Sequence, residues 1–325
     1  MLCLTSMSSA LDAVAGDFAG SAISLVKIPT ANPVNVHQAI HQPDRCEQLE
    51  IDALVALPDA PGPHPMVIVL PGSAGVSANH VMHARTLHDI GYGVCLVDPF
   101  GARAVTSTVA NQSQFSFAAS AHDVLATLRV LAADERIDAR RIVAQGHSRG
   151  GAAVIMAAMR AFAQPIVGDL ALAGAYAAYP WCGQQFARPD VGATVVRAII
   201  GDQDEWCSVM AVQTQIRTIT LTGGRASMRI VPGAHHSFDR HEDVHELAEA
   251  RVSPNAPIEF LDDDGSMIDP VTGIADPART DLDQFRAAVA AGFGQKGARL
   301  GGAGDQPQVF VDDMLAFHAE VLGGR

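Results

Sequence analysis

Between residues 65 and 233 the sequence switches repeatedly between two textures. One is a short run of apolar, often β-branched residues that ends in a turn. PMVIVLPG (65–72), YGVCLVDPFG (92–101), RRIVAQG (140–146), LALAGAYAAYP (170–180), ATVVRAIIGD (193–202) and ASMRIVPG (226–233) are of this kind. Such runs suit strands buried on both faces of a parallel sheet. The other texture has helical spacing, as in HVMHARTLHDIG (80–91), SFAASAHDVLATLRVLAAD (116–134), RGGAAVIMAAMRAFAQ (149–164) and SVMAVQTQIRTITLTGG (208–224). Regular alternation over this length predicts an α/β fold: an open, mostly parallel sheet flanked by helices. LEIDALVALP (49–58) adds an earlier strand, and VFVDDMLAFHAEVLGG (309–324) a closing helix.

Residues 1–45 carry Pro29, Pro33 and Pro43 between short polar stretches and read as irregular. Residues 46–325 then form one domain, a size suited to a single sheet of this class. Within it, 240–307 breaks the rhythm and reads as an insertion before the last helix, with one helix at DLDQFRAAVAAGF (281–293). It is either a cap over the functional edge of the sheet or a surface excursion. The net charge of −13 comes with no basic stripe, which argues against a nucleic-acid partner. No apolar run has membrane-spanning length. The first 26 residues hold no Lys or Arg, so no secretory leader is read and the cytoplasm is the expected compartment, with periplasm or secretion as the alternative. Five scattered cysteines without a CxxC pair do not support a zinc ribbon. Cys182 and Cys207 each follow a predicted strand at the same sheet edge, and free thiols are expected there rather than a disulfide. The sequence is silent on oligomeric state.

The chemistry starts at IVAQGHSRGG (142–151), where Gly146-His147-Ser148-Arg149-Gly150 gives G-x-S-x-G between a predicted strand and a predicted helix. In that context the motif is a sharp turn that lifts a serine hydroxyl above the sheet. The glycines avoid collisions, and the following helix N-terminus favours a developing negative charge. A serine needs an imidazole to take its proton and a carboxylate to hold that imidazole, in the order Ser, acid, His for this fold. The acid falls after ATVVRAII, in Gly201-Asp202-Gln203-Asp204-Glu205-Trp206; Asp204 is preferred, with Asp202 and Glu205 as competitors. The base falls after MRIVPG, at His235 or His236. For the oxyanion, the amide of Arg149 is one expected donor. The loop Pro71-Gly72-Ser73-Ala74-Gly75 supplies the other, Ser73 before Ala74.

Taken together, PGSAG, DPFGAR, GHSRGG, GDQDEW and PGAHHSFD resemble the dienelactone hydrolase family of α/β-hydrolases, over about residues 50–240. The resemblance implies the α/β-hydrolase fold, hydrolysis without a cofactor, and a small ester or lactone as substrate. It places the triad on Ser148, Asp204 and His236, since the base precedes the x-Phe pair. Dienelactone hydrolase itself uses cysteine where this chain has Ser148, which points to an ordinary ester and a serine carboxylesterase. Arg103 of DPFGAR is expected to pair with Asp98, or else to hold a substrate carboxylate. His147, Trp206, His235 and Ala74 are further candidates for substrate contact. A peptidase or thioesterase acting through the same serine is an alternative. So is a zinc peptidase built on His241-Glu242-Asp243-Val244-His245, a literal HExxH that requires a helix to bring its two imidazoles to one face. A binding protein that only borrows the fold is a third, weakened by all three triad positions being filled.

Overall fold

The computed structural model describes residues 11, 14–18 and 21–323. Its centre is an eight-stranded sheet. From one edge to the other, the strands are β1 (Ala22–Asn32), β2 (Glu47–Leu57), β4 (Gly93–Asp98), β3 (His64–Leu70), β5 (Ile137–His147), β6 (Gly174–Ala178), β8 (Val195–Gly201) and β9 (Ala226–Val231). β1, β2 and β4 pair antiparallel; every pairing from β4 to β9 is parallel. β4 and β6 are buried at every residue, and β3 at all but Pro65. That is why the central runs lack polar alternation: both faces are covered by helices. Each Val, Ile or Leu so buried contributes about 1.5–3 kcal/mol.

The flanking helices are α1 (Val36–His41), α2 (Ala78–Asp89), α3 (Phe117–Ala132), α4 (Arg149–Ala158), α5 (Arg160–Val167), α6 (Val209–Leu221) and α8 (Gln306–Leu322). The expected single helix over 149–164 is broken. Met159 is extended (φ −70°, ψ 121°), and the Arg160 amide leaves the helix to donate to the Asp190 carbonyl.

The segment 1–45 is not irregular throughout. β1 pairs with β2 over its whole length, from Ala22↔Leu57 to Asn32↔Glu47. Its pattern was hidden because it is an edge strand, half exposed and interrupted by Lys27 and Pro29. A proline is tolerated at an edge, where its missing N–H breaks no inner ladder.

The region 240–307 folds onto the carboxyl edge of the sheet. β10 (His245–Val252) pairs antiparallel with β14 (Gln295–Leu300). β11 (Glu259–Leu261) runs parallel to β7 (Gln184–Phe186), which follows β6, and continues through β12 (Met267–Ile268) and β13 (Ala275–Asp276). Helix α7 (Asp281–Ala290) is the expected helix, three residues shorter. The buried Asp281 carboxylate ties its start to the main body, accepting from the Phe117 amide and from Gln184 Nε2. Arg279 clamps Glu259 with two bonds of 2.7 and 2.9 Å. These ties make the region a fixed wall rather than a loose excursion.

Several histidines are buried in neutral form. Burial pulls His122 and His318 down to about 4 and His147 to about 3, and takes His80 well below its ordinary value. In the unfolded chain these groups take up protons near pH 6.5, whereas the folded chain resists until about pH 3–4. Their contribution to stability is therefore complete above about pH 6.5 and is lost as pH falls through the folded values. The thermal midpoint, followed from pH 7.5 to 4 by calorimetry, should drop steadily below about 6.5. A flat profile down to pH 4 would contradict neutral burial of these rings.

Candidate active site

Ser148 sits between β5 and α4 with φ 54° and ψ −110°, a backbone conformation that costs a non-glycine residue energy. The close approach of strand to helix enforces it. A Cβ on Gly146 would lie 2.0 Å from the Gly150 carbonyl oxygen, and one on Gly150 2.6 Å from that of Pro71. Only glycine fits at either position. The turn places the serine at the helix N-terminus, where the first amide, that of Arg149, has no intrahelical acceptor.

The other two predicted side chains meet it. The Ser148 hydroxyl donates to His236 Nε2 at 2.9 Å, and His236 Nδ1 lies 2.8 Å from Asp204 Oδ2, an arrangement that puts the imidazole proton on Nδ1. The Asp204 side chain is fully buried. Its other oxygen accepts from the Trp206 and Cys207 amides at 2.8 and 2.9 Å, which fixes the carboxylate as the loop after β8 turns. Its competitors are engaged elsewhere: Asp202 accepts from the Gly233 amide, and Glu205 from Arg299. Trp206 stacks on the His236 ring, 5.2 Å between centroids and 16° from parallel, and its indole N–H donates to the Arg299 carbonyl.

The 71–75 loop passes directly over the serine. A Cβ on Gly72 would come within 3.2 Å of Ser148 Cβ. The Ser73 carbonyl accepts from the Thr108 amide at 2.7 Å, and its hydroxyl donates to Gln112 Oε1 at 3.0 Å. Among the described residues its amide has no acceptor. Ser73 and Arg149 both line a cavity of about 440 Å³ that opens on Ser148. Its far wall is Phe117, Trp181, Phe285 and Val289, the last two from α7. A second cavity of about 220 Å³ meets Ser148 on the side of Ala74, Tyr179 and Arg240.

Two expectations, those for Arg103 and His235, are corrected, and His147 and the HExxH stretch are placed. Arg103 pairs with neither Asp98 nor open space. Its guanidinium is buried against Asp123, at 2.8 and 3.0 Å, and donates to Asn32 Oδ1 and the Pro99 carbonyl. Asp98 instead caps its own turn, accepting from the Phe100 amide. Arg103 is thus a structural residue joining the β4 loop to α3. His147 touches the smaller cavity but belongs to a polar cluster beneath it, because alternation along β5 turns it away from Ser148. His235 lines neither cavity. The HExxH stretch is no helix: it runs through a bend into β10, Glu242 is paired with Arg240, and His245 Nδ1 contacts the Asp243 carbonyl. Among the described residues, ligating atoms gather in threes only at His37, His41 and Asp264 on the surface and at Asp204, Cys207 and His236.

Cys182 and Cys207 are free, buried thiols. Cys207 lies beside the triad and lines the larger cavity. Burial, reinforced by the Asp204 carboxylate, holds its thiol well above the ordinary range, so it stays protonated. That removes it as a competing nucleophile.

Below His236 lies a group the sequence reading missed. Asp239 is fully buried and accepts from Asn79 Nδ2, His83 Nε2 and the Tyr179 hydroxyl, each at 2.8 Å. Burial alone would raise its carboxyl; the hydrogen bonds from His83 and Asn79 counter that, and the carboxyl is held far below the usual range. His147 Nδ1 is 2.9 Å from the Tyr179 oxygen, and the Tyr179 ring meets His236 edge to face at 4.7 Å. The network fixes the loop that carries His236. The one available signal was the i, i+3 spacing of His80 and His83 on a predicted helix, too common a spacing to single out.

The sequence from 51 to 261 matches the Dienelactone hydrolase family. Comparison with curated protein sequences yields no match. Among solved structures, m3DLH is 15% identical, with 83% of this chain and 95% of that one covered and a TM-score of 0.50. The dienelactone hydrolase-like promiscuous phosphotriesterase P91 from metagenomic libraries is also 15% identical (83% and 95% covered, TM-score 0.47). Esterase LipW from Mycobacterium marinum is 16% identical (70% and 78% covered, TM-score 0.46). With the family match spanning well over half its length, the chain belongs to the dienelactone hydrolase family and is an α/β-fold hydrolase of carboxylic esters.

Proposed function

We propose that the protein cleaves a small carboxylic ester through an acyl-enzyme on Ser148. The observation that carries this reading is the unbroken chain Ser148–His236–Asp204, with links of 2.9 and 2.8 Å. As Ser148 Oγ attacks the carbonyl, its proton passes to His236 Nε2. Asp204 holds the Nδ1 proton and stabilises the imidazolium. Negative charge on the carbonyl oxygen meets the amides of Ser73 and Arg149, two donors with no other partner among the described residues. Collapse of the tetrahedral intermediate expels the alcohol, which takes the proton from His236. Water then enters, loses its proton to His236 and releases the acid. The two cavities flanking Ser148 give the two halves of an ester separate places.

Ser148→Ala should lower kcat on a short-chain p-nitrophenyl ester by about 10⁴-fold or more, with the melting temperature unchanged or raised by release of backbone strain. Asp204→Asn should cost about 10³–10⁴-fold, because the amide favours the wrong tautomer. Substantial turnover in Ser148→Ala would place the nucleophile elsewhere. Prolonged dialysis against EDTA should leave the rate as it was; loss restored by zinc would favour the HExxH reading instead.

A further inference from the structure

The larger cavity has an electrical character opposite to that of the chain. The protein carries 35 acidic against 22 basic residues, yet no Asp or Glu lines this cavity, and Arg149, Arg251 and Lys296 do. Arg149 is held inside by the carbonyls of Phe115 and Ser116 and by Ser120 Oγ. The other two stand exposed at the rim. Arg251 and Lys296 are direct cross-strand partners in the β10–β14 ladder. Like charges placed opposite each other destabilise an antiparallel pair. Among the described residues neither forms an ion pair; Arg251 Nη1 donates instead to the Glu249 and Ala250 carbonyls. Two positive charges without an ion-pair partner among the described residues thus stand where a ligand would enter.

The inner wall is aromatic. Phe117 and Trp181 stack with centroids 4.1 Å apart, and Phe285 closes on both at 6.3 and 6.0 Å. Phe285 and Lys296 lie beyond residue 261, so one of the three aromatic walls and half of the rim come from outside the stretch matched by the family.

We propose that the larger cavity takes the bigger half of the ester, and that this half is an aromatic group ending in an anion. The ring lies against Phe117, Trp181 and Phe285, and the anion sits between Arg251 and Lys296. This rests on the esterase reading, with the scissile carbonyl at Ser148.

The test uses methyl 3-phenylpropanoate and the same ester with a para-carboxylate, plus the corresponding pair with the aromatic group on the alcohol side. In one pair, kcat/KM should favour the anionic ester by about tenfold or more, and 0.5 M NaCl should erode the preference, since salt screens exposed charges within about 3–10 Å. Lys296→Glu should abolish or invert the ratio. It should also raise the melting temperature, by turning a repulsive cross-strand pair into an attractive one. Monomethyl adipate, anionic without a ring, should be the poorer substrate. Calorimetric binding of 3-(4-carboxyphenyl)propanoate and 3-phenylpropanoate to Ser148→Ala reads the cavity without turnover. Tighter binding of the doubly charged acid with no hydrolysis by the parent enzyme would sink the esterase reading alone. Equal binding of the two acids, or a ratio untouched by Lys296→Glu, would overturn the anionic subsite. Adipate performing as well as the aromatic ester would overturn its aromatic half.

Discussion

The site depends on a near-collision. β5 and α4 meet so tightly at Gly146 and Gly150 that a methyl group at either position would overlap a backbone carbonyl. The backbone strain of Ser148 is the consequence, and the surrounding parallel strands, buried on both faces, hold it in place. With the serine so fixed, the remaining parts need only loops that leave the carboxyl ends of neighbouring strands. Asp204 follows β8, His236 follows β9, and Ser73 follows β3. Parallel pairing brings these strand ends to one rim, which is how residues 56 and 88 positions away from Ser148 complete one hydrogen-bonded chain.

Rigidity beneath the rim is supplied separately. Asp239, Asn79, His83, Tyr179 and His147 form a buried polar cluster directly under the His236 loop. Buried polar groups are costly unless satisfied, and satisfied ones hold a unique geometry. Ser237, next to His236, has a positive φ, so the loop is held in a shape it would not adopt alone.

The parts of this design visible in the sequence are those governed by local rules. The G-x-S-x-G motif was readable because glycine at fixed offsets from a serine has a steric cause. The central strands were readable because burial on both faces leaves an unbroken apolar run. What escaped was set by partners distant in the chain. β1 looked irregular because an edge strand has little apolar density of its own and is specified by β2. Arg103 was assigned to Asp98, five residues away, when Asp123 on α3 provides a buried bidentate match. The region 240–307 gave no rhythm because it is several short strands, paired with one another across intervening chain or, for β11, with β7 outside the region. Only its placement shows that it walls the cavity over Ser148.

The proposed chemistry turns on activation of the Ser148 hydroxyl by His236. The most direct measurement is peptide mass mapping after reaction with a fluorophosphonate, which forms a stable adduct only with an activated nucleophile. One adduct on the peptide containing Ser148, absent after His236→Ala, is the expected result. An adduct on Cys207 or another side chain, or no labelling of enzyme that turns over an ester, would contradict it.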